Sequence, residues 1–96
     1  MINTKQRSYL RSLANKMDAI FRVGKDGIND NFLKQIDDAL EAREIIKVSI
    51  LKNSDYSARE ASEIICDELK CDGVQCIGNK FVLYRRSKKK PKIELP

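Results

Sequence analysis

Apolar positions along this chain switch between a helical period near 3.6 and a strand period of 2, and the switches mark seven elements. Leu10, Leu13, Ala14 and Met17 recur at i, i+3, i+4 and i+7 behind Thr4. That predicts a first helix over residues 5–16 with Thr4 as N-cap. Ala19–Val23 then alternates, Phe21 and Val23 on one face, Ile20 and Arg22 on the other, as a short strand does. Asn29 caps a second helix, with Ile28 and Leu33 placed as a hydrophobic staple. Its buried stripe is Phe32, Leu33, Ile36, Ala39 and Leu40, leaving Asp37, Asp38 and Glu41 to solvent. Ile45–Leu51 is a second strand and Lys52–Tyr56 a polar turn. Ser57 and Glu60 form a capping box for a third helix running to about Lys70, with Ala58, Ala61, Ile65 and Leu69 inward and Asp72-Gly73 as its breaker. Val74–Ile77 and Lys80–Arg85 are strands joined at Gly78-Asn79, a hairpin turn of the glycine-first kind.

The order α-β-α-β-α-β-β implies an α/β fold. The β-α-β unit should be parallel and right-handed, the last two strands antiparallel. The expected architecture is one small domain with a mixed four-stranded sheet and helices packed on it in two or three layers. Ninety-six residues suit a single domain. No repeat or interdomain linker interrupts it, so the division expected is a domain over 1–86 and a basic tail over 87–96.

Charge changes the picture more than composition does. The net charge of +5 is segregated: +4 over residues 1–28, −5 over 29–72 and +6 over 73–96. Such a chain can bring both basic ends to one side and leave an acidic back, which suits an anionic partner. The N-terminus lacks the apolar core of a signal peptide, and no apolar run nears the ~20 residues of a membrane span. Cys66, Cys71 and Cys76 are odd in number in a chain expected to carry no export signal, which fits reduced thiols in the cytoplasm. At C-x4-C-x4-C, and with no His in the chain, they fall short of the four ligands of structural zinc and read as small core hydrophobes. Without His the commonest general base is missing too. We expect no enzyme, cofactor, metal, membrane or small-molecule substrate.

Phosphate is the chemistry left. Val23-Gly24-Lys25-Asp26-Gly27-Ile28 sets two glycines around a charged pair, ahead of a helix. Such a loop either lets a phosphate close to the backbone or serves as a plain strand-to-helix turn. The first helix adds Lys5, Arg7, Arg11 and Lys16, and residues 85–92 hold Arg85, Arg86, Lys88, Lys89, Lys90 and Lys92. Five such contacts to single-stranded RNA would give log K against log[salt] a slope of about −3.5. The competing readings are an ordinary wet helix face and a disordered solubilising tail. Tyr9, Tyr56 and Tyr84 are the few candidates for stacking bases.

Four segments in order carry a family pattern: Lys5–Ala14, Phe21–Ile28, Glu44–Val48 and Val74–Arg85. Together they resemble the CRM domain (chloroplast RNA splicing and ribosome maturation) in its bacterial stand-alone, YhbY-type form. The resemblance implies a fold similar to the C-terminal domain of translation initiation factor three, RNA binding, and association with precursors of the large ribosomal subunit. The family's G-x-x-G loop falls on Gly24, Lys25, Asp26 and Gly27, and its basic helix on Lys5, Arg7 and Arg11. Asp26 departs from the neutral residue, such as Asn, that members often carry. A carboxylate repels phosphate within a Debye length of ~8 Å and is suited instead to capping local N–H groups, which leaves Lys25 as the contact.

The leading expectation is a non-catalytic RNA-binding protein that uses Lys5, Arg7, Arg11, Arg22, Gly24, Lys25, Asp26, Gly27, Arg85, Arg86, Lys88, Lys89 and Lys90. The alternative is an adaptor that docks basic ribosomal proteins on its acidic second and third helices. DNA reading by the first helix lacks a helix-turn-helix pair.

Overall fold

The computed structural model describes residues 2–96. Its elements are α1 (Thr4–Ala14), β1 (Phe21–Val23), α2 (Asp30–Arg43), β2 (Ile45–Ile50), α3 (Ala58–Leu69), β3 (Asp72–Ile77) and β4 (Lys80–Tyr84). The strands form one sheet in the order β1-β2-β4-β3, with β1 and β2 parallel and the other pairs antiparallel. This is the α/β fold expected, a mixed four-stranded sheet with three helices.

The helices divide between the faces. On one face, α2 and α3 pack Ile36, Leu40, Ala61 and Ile65 over Val23, Ile46, Val48, Phe81 and Leu83. On the other, α1 lays Leu10 and Ala14 over Ile45, Val74, Val82 and Tyr84. The result is three layers. The central strand β2 is therefore buried on both sides, Ile45 and Ser49 as well as Ile46, Val48 and Ile50. Alternation alone describes a strand with one wet face, and β2 has none. Phe21 meets Phe32 edge to face at 6.4 Å, tying β1 to the first turn of α2.

Several boundaries differ from expectation for local reasons. Asn3, not Thr4, caps α1. Its side chain accepts the Gln6 N–H at 2.8 Å while the Gln6 side chain accepts the Asn3 N–H at 3.0 Å. Asn is the stronger cap, and Gln three residues on completes the reciprocal pair. The helix ends at Ala14, short of Lys16. The caps at Asn29 and at Ser57 with Glu60 stand as expected. Helix α3 is stopped by Lys70, whose φ of 55° is left-handed, and not by Asp72-Gly73. Those two residues belong to β3, where the register shifts between Gly73 and Gln75. The hairpin turn has Gly78 at φ +59°, as a glycine-first turn requires. Cys66 and Cys71 pack at the margin of the core as expected. Cys76 is exposed, because it lies on an edge strand beside an open hollow.

Candidate nucleic-acid interface

The chain turns as soon as β1 ends. The Gly27 N–H donates to the Gly24 carbonyl at 3.1 Å, closing a turn with Lys25 and Asp26 at its tip. Gly27 has φ +71°, and a Cβ there would stand 3.2 Å from the Tyr56 ring. Gly24 lies outside the left-handed region, but its Cβ would come within 3.3 Å of Leu51 Cδ1. Backbone conformation demands the second glycine and close packing favours the first. Helix α2 starts separately, capped by Asn29, which accepts the Phe32 N–H at 2.8 Å. The turn and α2 border an open hollow of about 290 Å³, to which Arg22, Lys25, Asn31 and Gln35 contribute. Among the described residues the exposed Asp26 carboxylate caps no N–H group, contrary to expectation; the Gly24 carbonyl closes the turn instead.

Strand register extends this site across the sheet. Arg22 lies beside Ser49, Ser49 opposite Lys80 and Lys80 opposite Ile77, so the four share one row on the face that carries α1. In the next row Lys47 stands opposite Val82. Past the end of α1, Asn15, Lys47, Gln75, Ile77 and Lys80 line a small hollow of about 180 Å³. Arg22, Lys25 and Lys80 are exposed and Lys47 half-buried, and among the described residues none is in an ion pair. Ile77, 65% exposed, and Ile20 add an apolar margin. Arg11 sits in the last turn of α1. Lys47 and Lys80 were not among the residues expected here. The alternation of β2 set Lys47 apart from its core face, but only the pairing of β1 with β2 and of β2 with β4 puts it and Lys80 on the side of Arg22.

The opposite end of the sheet is built on carboxylates. Glu44 follows α2 with φ 68° and is fully buried. Its carboxylate accepts the N–H groups of Ser87 at 2.8 Å, Lys92 at 2.6 Å and Ile93 at 2.7 Å. Glu41 accepts the N–H groups of Lys88 and Lys89, the Ser87 hydroxyl at 2.7 Å and the Arg85 guanidinium at 3.2 Å. Burial pushes the Glu44 carboxyl up, but the three N–H donors outweigh it and hold its pKa below the ordinary value. The Lys88 N–H, helped by Ser87, Lys89 and Arg85, brings Glu41 down to about 2. Asp37 and Glu41, expected to face solvent, are thus partners of the tail and of Arg85.

The tail is laid down on the domain rather than free. Ile93 and Leu95 join the α1-side cluster, and the Gln6 side chain donates to the Pro96 carbonyl at 3.2 Å. Arg85, whose side chain is 10% exposed, is engaged by Asp37 and Glu41. Arg86, Lys88, Lys89 and Lys90 remain exposed.

The expected residues therefore separate. Arg22, Gly24, Lys25, Asp26 and Gly27 gather at the glycine-turn end, while Arg11 lies in the last turn of α1, four residues after Arg7. Lys5, in the first turn of α1, and Arg86, Lys88, Lys89 and Lys90 lie at the other end, the six residues of β2 or about 20 Å away. Arg7 lies at the open edge of β3, its Nε donating to the Gly73 carbonyl at 3.2 Å.

Fold and site define a class: a small three-layer α/β domain that presents a glycine turn and unpaired cations at one end of its sheet. The model of the CRS1/YhbY (CRM) domain family matches residues 2–85, and the chain belongs to that family. It is 48% identical over 96 residues to "Probable RNA-binding protein YqeI" of Bacillus subtilis, with both chains covered in full. A Haemophilus influenzae protein described as "RNA-binding protein" is 34% identical over 95 residues, covering 99% of this chain and 95% of its own. The solution structure of the hypothetical protein SAV1595 from Staphylococcus aureus superposes with a TM-score of 0.82 at 49% identity, both chains covered in full.

Proposed function

We propose that this protein is a non-catalytic, cytoplasmic RNA-binding factor that holds ribosomal RNA precursor during assembly of the large ribosomal subunit. The observation that carries the reading is the cationic set Arg22, Lys25, Lys47 and Lys80 around a tight glycine turn, free of acidic partners among the described residues. Unpaired ammonium and guanidinium groups on a rigid sheet attract backbone phosphates at low desolvation cost and supply affinity with little sequence reading. The glycine turn lets a strand approach the backbone, and Ile20 and Ile77 give its sugars an apolar surface. Arg7 and Arg11 on α1 and Lys16 just past its end extend the contact, and Lys5, Arg86 and Lys88–Lys90 form a second basic area. Arg85, occupied by two acids, stays outside the contact set. The RNA-binding descriptions of the B. subtilis and H. influenzae relatives agree with this reading.

Docking of basic ribosomal proteins on α2 and α3 draws less support. Asp37, Glu41 and Glu44 are occupied from within, and Asp38 pairs with Lys34 at 3.3 Å. Cross-linking in cells followed by sequencing of the attached RNA tests the proposal, together with gradient sedimentation of lysate. Large-subunit ribosomal RNA should dominate the cross-links and the protein should enter pre-ribosomal fractions. Protein confined to the top of the gradient overturns the assembly role.

A further inference from the structure

Cys66 and Cys71 bracket the end of α3. The N–H groups of both Lys70 and Cys71 reach back to the Cys66 carbonyl, the Cys71 bond at 3.3 Å, so the left-handed Lys70 swings the chain round and brings residue 71 over residue 66. The side chains meet as a result, with Cys71 Sγ 3.6 Å from Cys66 Sγ. Cys66 also borders an open hollow of about 630 Å³ between α3 and β3, whose rim carries Arg7 and Arg59 as well as Glu63 and Asp67. Both cysteines are half-buried, and of the two only Cys66 lines the hollow.

We propose that Cys66 and Cys71 form an oxidisable dithiol, with Cys66 the thiol that meets a hydroperoxide entering the hollow and Cys71 the thiol that resolves it. The Cys66 thiolate attacks one peroxide oxygen; an S–O bond forms, the O–O bond breaks, and the departing hydroxide takes a proton to become water. Cys71 then attacks the Cys66 sulfenic sulfur. The S–S bond forms, the S–O bond breaks, and the Cys71 proton leaves with the hydroxide as a second water. Two thiols and one hydrogen peroxide give one disulfide and two waters, the two electrons passing from sulfur to peroxide. Donation from the Cys71 thiol favours the Cys66 thiolate against burial and the nearby Asp67 and Asp72, and that same hydrogen bond, with burial, keeps Cys71 protonated until that step. Cys76 lines the same hollow and is more exposed, but among the described residues it meets neither sulfur of the pair, so it supplies an internal reference for peroxide access without a partner thiol.

The test uses hydrogen peroxide on the full chain, with thiols alkylated at intervals and sites read by mass spectrometry. In Cys76→Ser only the pair remains, and the mass should fall by 2 Da with both thiols lost together. Trypsin cuts after Lys70, so the product should appear as two disulfide-linked peptides. In wild type the pair should be consumed at least tenfold faster than Cys76. In Cys71→Ser, dimedone should label Cys66. Pair thiols that stay alkylatable in Cys76→Ser, or faster loss of Cys76 in wild type, would overturn the proposal. Neither reading depends on a variant of the pair folding, because both keep Cys66 and Cys71 intact.

Discussion

The glycine turn and the C-terminal tail are both basic segments, yet their charges have opposite fates. At the turn, Arg22, Lys25 and Lys80 are exposed and, among the described residues, make no ion pair, although Asp26 follows Lys25 in the chain. At the tail, two glutamates of the chain's acidic middle collect five backbone N–H groups and a guanidinium. A carboxylate that is buried must be satisfied, and here main-chain donors satisfy it, so the lysine side chains stay outside. A basic run therefore says little about where its charges point until its neighbours are known. The tail is a docked segment that happens to be basic; the turn is an open cationic surface.

The contrast breaks most severely at Glu44. Glu44→Gln replaces an acceptor of three N–H groups by an amide with donors of its own. It should cost about 2–4 kcal/mol, read from the urea midpoint, with amides 87–93 losing exchange protection. An unchanged midpoint would mean that the tail contributes nothing to stability. At the other region, Gly27→Val meets a left-handed backbone and the Tyr56 ring and should cost about 1–2 kcal/mol in the same measurement. Exchange in the tail should stay as it was.

Charge separates the regions without unfolding either. Lys25→Glu with Lys80→Glu should weaken RNA retention and flatten the salt slope by about 1.4, two phosphate contacts on single-stranded RNA, at constant melting temperature. Arg85→Gln should do the reverse, lowering the melting temperature and leaving the slope alone, because its guanidinium is spent on Asp37 and Glu41. Equal slopes for the two variants would erase the distinction between them.

The smallest effect is acidic. Folded Glu41 titrates near 2, against 4.5 ordinarily, and Glu44 is shifted the same way. Between those values the unfolded chain binds the proton and the folded one does not. The stabilisation is complete above about pH 4.5 and is lost as pH falls towards 2. Urea midpoints from pH 2 to 6 should follow that course, and Glu41→Gln should flatten it.

Much of this was written in local sequence. Periodicity and caps placed all seven elements, because short-range sterics and hydrogen bonds decide where a helix starts. The misses were of one residue or two, as at Asn3, or concerned a competing stop, as at Lys70 before Asp72-Gly73. The turn was legible because Gly27 stands in a left-handed conformation that glycine alone adopts freely, while Gly24 owes its place to packing against Leu51. Arg22 and Lys25 could be named for the same reason, being beside it.

Tertiary structure decided the rest. Which face Lys47 and Lys80 occupy depends on β2 pairing with β4, a choice made across more than thirty residues of chain. The docking of the tail depends on Glu41 and Glu44 lying more than forty residues before the amides they accept. Sequence by itself fixed elements, turn and charge supply, since those follow from interactions within a few residues. Only the folded sheet assigned each charge to solvent or to a partner, because pairing and burial are set by contacts that no local pattern encodes.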